Sequence, residues 1–254
     1  MKINLVLSGG GARGIAHLGV VKSILEHHIA IKSISGTSAG ALAGAFIAKG
    51  FTPDDALEIA ATNMEFNIRR PPFSMGFFSK SNMEKVLQKH FPENSFSALS
   101  IPLYVAATNI NKAITEYFSS GELIRPLLAS SALPLLFPAI EINDSQYLDG
   151  GLLNNLPVEP FLEDGDPIVG VFVNPIGIQG RFSSTLRIVE RSIELAIYRN
   201  IQSRRSRCAL FIEPEALDAY SVYEFAGARD IFRIGYEHAN ERIEKFLENE
   251  LRPD

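Results

Sequence analysis

Two short stretches place glycine where chemistry on a phosphate or a carbonyl needs bare backbone. Ser8–Val21 reads SGGGARGIAHLGVV, directly behind the apolar residues Ile3, Leu5, Val6 and Leu7. Gly36–Gly40 reads GTSAG, with Ser38 at its centre. Glycine between a strand and a helix lets the chain come close to a ligand, and the helix start behind it favours negative charge. That charge belongs either to a dinucleotide phosphate or to a reacting carbonyl. Gly9, Gly11 and Gly14 satisfy the G-x-G-x-x-G spacing, but a dinucleotide site also needs an Asp or Glu at the end of the second strand. The second strand, IKSIS at 31–35, ends in Ile34 and Ser35 and runs straight into GTSAG. The nucleotide reading is weakened by that missing carboxylate.

GTSAG has the form G-x-S-x-G between a strand and a helix, the setting of a nucleophile elbow, whose sharp turn lifts a serine hydroxyl out of the chain. Gly36 and Gly40 remove the side chains that would collide in such a turn. The alternative is a helix N-cap serine flanked by glycines. Acyl transfer needs an activated hydroxyl together with donors aimed at the oxyanion. Neighbouring parallel strands deliver neighbouring loops at the carboxyl edge of a sheet, so the amides of Gly9, Gly10 and Gly11 are expected to face Ser38.

The base is less obvious. The histidines are His17, His27, His28, His90 and His238, and none stands at a strand end with a recognisable loop. Each reads as a surface or packing residue, with a triad through His238 left open. Asp149, in QYLDGGLLNN, follows a short strand and precedes Gly150 and Gly151. A carboxylate with a pKa of about 3.9 is a poor base unless burial raises it. A buried aspartate bonded directly to the serine hydroxyl meets that need. The alternative is an Asp-Gly hairpin turn.

The elements that must position these groups alternate along the chain. Strands are expected near 2–8, 31–35, 103–108, 114–118, 137–142, 145–149, 168–173 and 209–213. Helices are expected near 13–28, 39–49, 81–90, 122–132, 184–206 and 223–250, and one more follows Thr52 as N-cap with Pro53, Asp54 and Asp55 in its first turn. On the first helix, Ile15, Leu18, Val21, Ile24 and Leu25 form the apolar face. The alternation predicts an α/β fold with a largely parallel sheet. No repeat or linker-like shift divides the chain, so a single domain over 1–254 is expected.

Composition narrows the function classes. The chain has 254 residues, 46% hydrophobic and 21% charged, with net charge −5, so nothing electrostatic points to nucleic acid. The single cysteine, Cys208, excludes an internal disulfide and favours a reducing compartment. The start lacks a signal-peptide pattern and no apolar run reaches transmembrane length, so a cytoplasmic protein is expected. No Cys/His metal constellation and no phosphate-loop motif is found, and neither metal nor cofactor is expected. Oligomeric state is not legible. Phe73, Met75, Phe77 and Phe78 crowd the Pro- and Gly-broken segment 71–80 behind Arg69 and Arg70. That segment reads as a lid or interfacial contact, or as a loop tucked onto the domain. Arg204, Arg205 and Arg207 read as a site for anionic headgroups or as a solvated helix end.

SGGGARG, GTSAG and DGG, in this order and with ASSALPLLFPAI ahead of the last, resemble the patatin-like phospholipase family, its small bacterial members above all. The resemblance covers about residues 3–175 and implies a three-layer α/β/α sandwich with the C-terminal helices packed on it. It implies a Ser–Asp dyad, with Ser38 as nucleophile and Asp149 as base. Gly9, Gly10, Gly11 and Arg13 then lie in the oxyanion-hole motif, and Gly14, Gly36, Gly40, Gly150 and Gly151 support the motifs. Arg13 alternatively pairs with a nearby carboxylate, and Ser130 and Ser131 pack beside the site. The implied substrate is a fatty-acyl ester of a lipid, met with transient contact at a membrane surface. A regulatory protein that keeps the fold and binds a partner is the other class, and a nucleotide-dependent enzyme the third.

Overall fold

In KINLVL, Ile3, Leu5 and Leu7 make one face apolar and Val6 adds an apolar residue to the other, so the strand needs cover on both sides. In the computed structural model, which describes residues 1–65, 80–134, 136–178, 180–182, 184–222 and 225–250, it forms β1 (Lys2–Leu7), buried from Ile3 onward. β1 pairs in parallel with β2 (Ala30–Thr37) on one side and with β7 (Ile168–Val171) on the other. The parallel block is completed by β3 (Leu103–Asn109) beside β2 and β8 (Leu210–Ile212) beside β7. β4 (Ile114–Phe118) and β6 (Ser145–Asp149) pair antiparallel with β3, and β5 (Ile140–Ile142) antiparallel with β6. The order is β5-β6-β3-β2-β1-β7-β8. The expected parallel sheet is therefore a five-strand parallel block with an antiparallel edge.

Alternation along β1 divides the core into two layers. Ile3, Leu5 and Leu7 face the larger one, with Val20, Ile24, Ala41, Leu127, Ile231 and Ile243 among its members. Val6 faces a smaller layer with Leu156, Val158, Phe161, Phe172 and Ile201. Helices α1 (Ala16–Glu26), α2 (Ala39–Lys49), α5 (Ile124–Ser130) and α7 (Ala228–Glu250) supply residues to the first layer, and α6 (Thr185–Arg205) supplies Ile201 to the second. The result is helices on both faces of one sheet, the expected α/β/α sandwich. Among the described residues no helix is long and apolar enough to cross a membrane.

Local departures from the sequence reading have physical causes. The expected helix at 13–28 begins as a 3-10 turn over Gly11–Ile15. That turn is drawn tight against α2: a Cβ on Gly14 would lie 2.3 Å from the Ala39 Cβ. Leu25, expected on the apolar face, is exposed, whereas Val20 is fully buried. The reason is α7, which packs along α1 and buries residues that a pattern facing the sheet alone leaves out. A Cβ on Gly19 would lie 2.0 Å from the Phe232 carbonyl oxygen, and one on Gly235 2.2 Å from that of Ala16. The two helices thus meet backbone on backbone. Pro126 disturbs nothing, because it falls in the first turn of α5, where no helical N–H is lost. β2 runs two residues further than expected, to Thr37, and carries the chain directly to Ser38. The helices α3 (Pro53–Glu65) and α4 (Lys80–His90) flank 66–79. The aromatic segment 71–80, read as a lid or interfacial contact or as a loop tucked onto the domain, lies outside the described residues except for Lys80.

Candidate active site

Ser38 sits between the end of β2 and the start of α2 with φ 52° and ψ −123°. An L-residue adopts such angles only at a cost of about 1–3 kcal/mol, so the surrounding structure must impose them. The glycines on either side make the turn feasible. A Cβ on Gly36 would lie 2.6 Å from the Ala41 N, and one on Gly40 2.4 and 2.5 Å from the carbonyl oxygens of Leu7 and Ser8. The Ser38 N–H donates to Ser130 Oγ at 2.8 Å, and that hydroxyl donates onward to the Ala106 carbonyl at 2.6 Å. The packing serine of the ASSALP segment therefore fastens the elbow to β3.

Strand register brings Asp149 to the same place. Thr37 pairs with Ala106 on β3, and Asp149 pairs with the next residue, Ala107. The ends of β2 and β6 therefore meet at adjacent positions of one strand. The Asp149 carboxylate is buried, interacts with the Ser38 side chain and takes the Gly151 N–H on Oδ1 at 2.8 Å. Its backbone is held by the Asp149 N–H to Ala132 O at 2.9 Å and by Thr108 Oγ1 to Asp149 O at 2.9 Å. Burial pushes its pKa up from 3.8 to about 6, and the bonds from Ser38 and Gly151 pull against that rise. Gly150 leaves room for this arrangement, since a Cβ there would lie 2.3 Å from the Ala106 carbonyl oxygen. No histidine bonds to this pair among the described residues. His17 is buried, holds the Ser8 carbonyl through Nε2 at 2.7 Å, and has its pKa lowered by burial to about 4. His90 packs its ring edge-on to Phe46 and Phe51.

The glycine loop reaches the serine, and its amides differ in availability. A Cβ on Gly9 would lie 3.1 Å from the Ser38 Cβ, which puts the loop in contact with the elbow. The Gly9 N–H is committed, donating to Asn155 Oδ1 at 2.9 Å. The Gly10 and Gly11 N–H groups have no acceptor among the described residues. Gly11 has φ 54°, where glycine is the natural choice, and a Cβ on it would meet the Val222 carbonyl oxygen at 2.2 Å. The Arg13 side chain turns the other way. Its Nε donates to the Tyr220 carbonyl at 2.7 Å, and Glu194 and Asp218 lie within electrostatic reach. The hydrogen bond from the guanidinium goes to a backbone carbonyl instead of the carboxylate partner that the sequence suggested, and it ties the loop to the segment around Tyr220.

Two asparagines near the loop escaped the sequence reading. Asn155 stands in the quoted DGGLLNN, where it reads as a loop residue. It is buried and fixes Gly9. Asn174 follows β7, and its Nδ2 donates to the Gly9 carbonyl at 2.6 Å. The one available signal was its position, at the carboxyl end of the strand next to β1.

Comparison with known proteins agrees with this picture. The family described as patatin-like phospholipase matches residues 5–162. The lysophospholipase nte1 of Aspergillus terreus is 28% identical over 285 aligned positions, covering 98% of this chain and 18% of that protein. The lysophospholipase NTE1 of Saccharomyces cerevisiae is 25% identical over 289, covering 99% of this chain and 17% of that protein. The chain thus spans less than a fifth of these relatives. Among solved structures, VipD from Legionella pneumophila aligns with a TM-score of 0.57 at 14% identity, over 97% of this chain and 67% of that one, a likeness of fold.

Proposed function

This chain belongs to the patatin-like phospholipase family, and from that premise we propose that it is a serine acyl hydrolase that cleaves fatty-acyl esters of lipids through Ser38 and Asp149. The observation that carries the reading is that strand register sets the strained Ser38 turn beside Asp149, a buried carboxylate of raised pKa that interacts with the Ser38 side chain. Asp149 takes the hydroxyl proton as Oγ attacks the ester carbonyl. The oxyanion that forms is met by the free N–H groups of Gly10 and Gly11 and by the N-terminus of α2. Collapse expels the alcohol, which receives the proton from Asp149, and leaves an acyl group on Ser38. Water, deprotonated by the same carboxylate, then releases the fatty acid. Gly9 keeps space open beside the serine, and its own amide serves the scaffold.

Lysophospholipids head the substrate classes to test, since the curated relatives are named for them. We assign the work to a membrane surface, entered from the cytoplasm. Leu136 and Leu153, exposed on the segments flanking Asp149, supply apolar contacts there. The test is labelling with a fluorophosphonate probe, followed by hydrolysis of lysophosphatidylcholine. Wild type should label and hydrolyse, and Ser38→Ala should do neither. Labelling that survives Ser38→Ala, or an unlabelled wild type, overturns the assignment, and the second result favours a partner-binding protein.

A further inference from the structure

A peptide group is planar and trans, so its carbonyl and its N–H point in opposite directions. Whatever holds the Gly10 carbonyl therefore aims the Gly11 N–H, and whatever holds the Gly9 carbonyl aims the Gly10 N–H. The Gly10 carbonyl accepts the Arg13 N–H at 3.1 Å. That bond belongs to the turn's own backbone and needs no side chain. The Gly9 carbonyl is held differently: it accepts Asn174 Nδ2 at 2.6 Å and Ser8 Oγ at 3.0 Å. Ser8 Oγ is in turn fixed by the Val173 N–H at 3.1 Å. Both contacts depend on the segment that leaves β7.

A carbonyl oxygen only accepts, so Asn174 must present its NH2 group to Gly9. Its Oδ1 is then left buried, with no partner among the described residues. An unpaired buried amide oxygen is destabilising, so packing alone does not favour asparagine over an apolar residue of similar size. The segment presses closely on the loop: a Cβ on Gly10 would lie 2.5 Å from Val173 Cγ2 and 3.1 Å from Asn174 Oδ1. The Ser8–Gly9 peptide is locked as well, by His17 on its carbonyl and Asn155 on its N–H.

We infer that Asn174 is a positioning residue for acyl transfer, whose NH2 group holds the Gly9 carbonyl so that the Gly10 N–H faces the developing oxyanion. The inference rests on the hydrolase reading above. It distinguishes the two donors: the Gly11 amide is aimed by the turn, the Gly10 amide by a side chain from beyond β7.

The experiment compares wild type with Asn174→Leu, which removes the donor, and Asn174→His, which restores an N–H at similar reach. kcat and KM on p-nitrophenyl butyrate, fluorophosphonate labelling rate and thermal midpoint are measured for each. Losing an oxyanion donor costs about 10²–10³ in kcat, and a misaimed one should cost roughly 10–100-fold. Asn174→Leu should show that fall with KM within about threefold of wild type, and Asn174→His should recover most of it. If Asn174→Leu does not fold, Ser8→Ala, which removes the other donor to the same carbonyl, carries the same expectation in kcat. A kcat for Asn174→Leu within about twofold of wild type, or a loss taken up in KM, overturns the inference. Ser38-dependent labelling that is as fast in Asn174→Leu as in wild type overturns it alone, whereas a wild type without such labelling overturns the hydrolase reading with it.

Discussion

Replacing Asp149 by Asn should abolish activity and at the same time stabilise the fold above neutral pH. The carboxylate is buried, and its pKa rises from 3.8 to about 6 on folding. Between those values the folded chain holds a proton that the unfolded chain has released, so stability falls as pH rises through this window. The contribution is fully present below pH 3.8 and lost above about 6. At about 1.4 kcal/mol per pH unit, that rise amounts to about 3 kcal/mol by pH 8. An asparagine in its place would keep an oxygen for the Gly151 N–H and carry no charge to desolvate. Asp149→Asn should therefore melt roughly 6–10 °C above wild type at pH 8, with the gap closing below pH 4. Thermal unfolding of both proteins across that range reads the effect directly. In parallel, wild-type kcat/KM should fall as pH drops through about 6, because a protonated Asp149 cannot accept the serine proton. An Asp149→Asn protein less stable than wild type at pH 8, by a margin that does not change with pH, would refute the claim that burial disfavours this charge.

Three further outcomes follow from contacts around the site. Ser38→Gly relieves the strained backbone and should raise the unfolding free energy by about 1 kcal/mol or more in urea, with no esterase activity left; a lower value than for Ser38→Ala refutes the strain. Ser130→Ala removes the hydroxyl that links the Ser38 N–H to Ala106 O, and should cost about 1–3 kcal/mol of stability along with a fall in kcat. Gly19→Val drives a side chain into the Phe232 carbonyl and should prevent accumulation of folded protein, measured as soluble yield and far-UV dichroism.

Local pattern made the elbow and the glycine turn legible. G-x-S-x-G between a strand and a helix also reads as a glycine-flanked N-cap, but its pairing with a Gly-rich turn directly behind an apolar strand favoured the elbow. Asp149 was legible as Asp-Gly-Gly and through the family resemblance. Its meeting with Ser38, however, depends on the pairing of Thr37 with Ala106 and of Asp149 with Ala107, which no local pattern encodes. Long-range destinations were the hardest to read. The Arg13 partner, Tyr220, lies 207 residues away, and the Asn174 partner, Gly9, lies 165 away. An asparagine before a proline at a strand end reads as a terminator, which hides a donor. Leu25 failed because a helix covered from two sides no longer shows a single apolar stripe.

The glycine contact between α1 and α7 has a mechanical consequence. Where glycine brings their backbones together, a shift of one helix must become a shift of the other, since tightly packed interiors transmit displacement instead of absorbing it. The Ala16 carbonyl, pressed against Gly235, belongs to the residue that follows the tight turn beside Ser38. A tag, cargo or binding protein that strains the far end of the last helix therefore has leverage on the turn beside Ser38, and any shortened version of the chain that stops at residue 162 would lose that linkage together with Asn174.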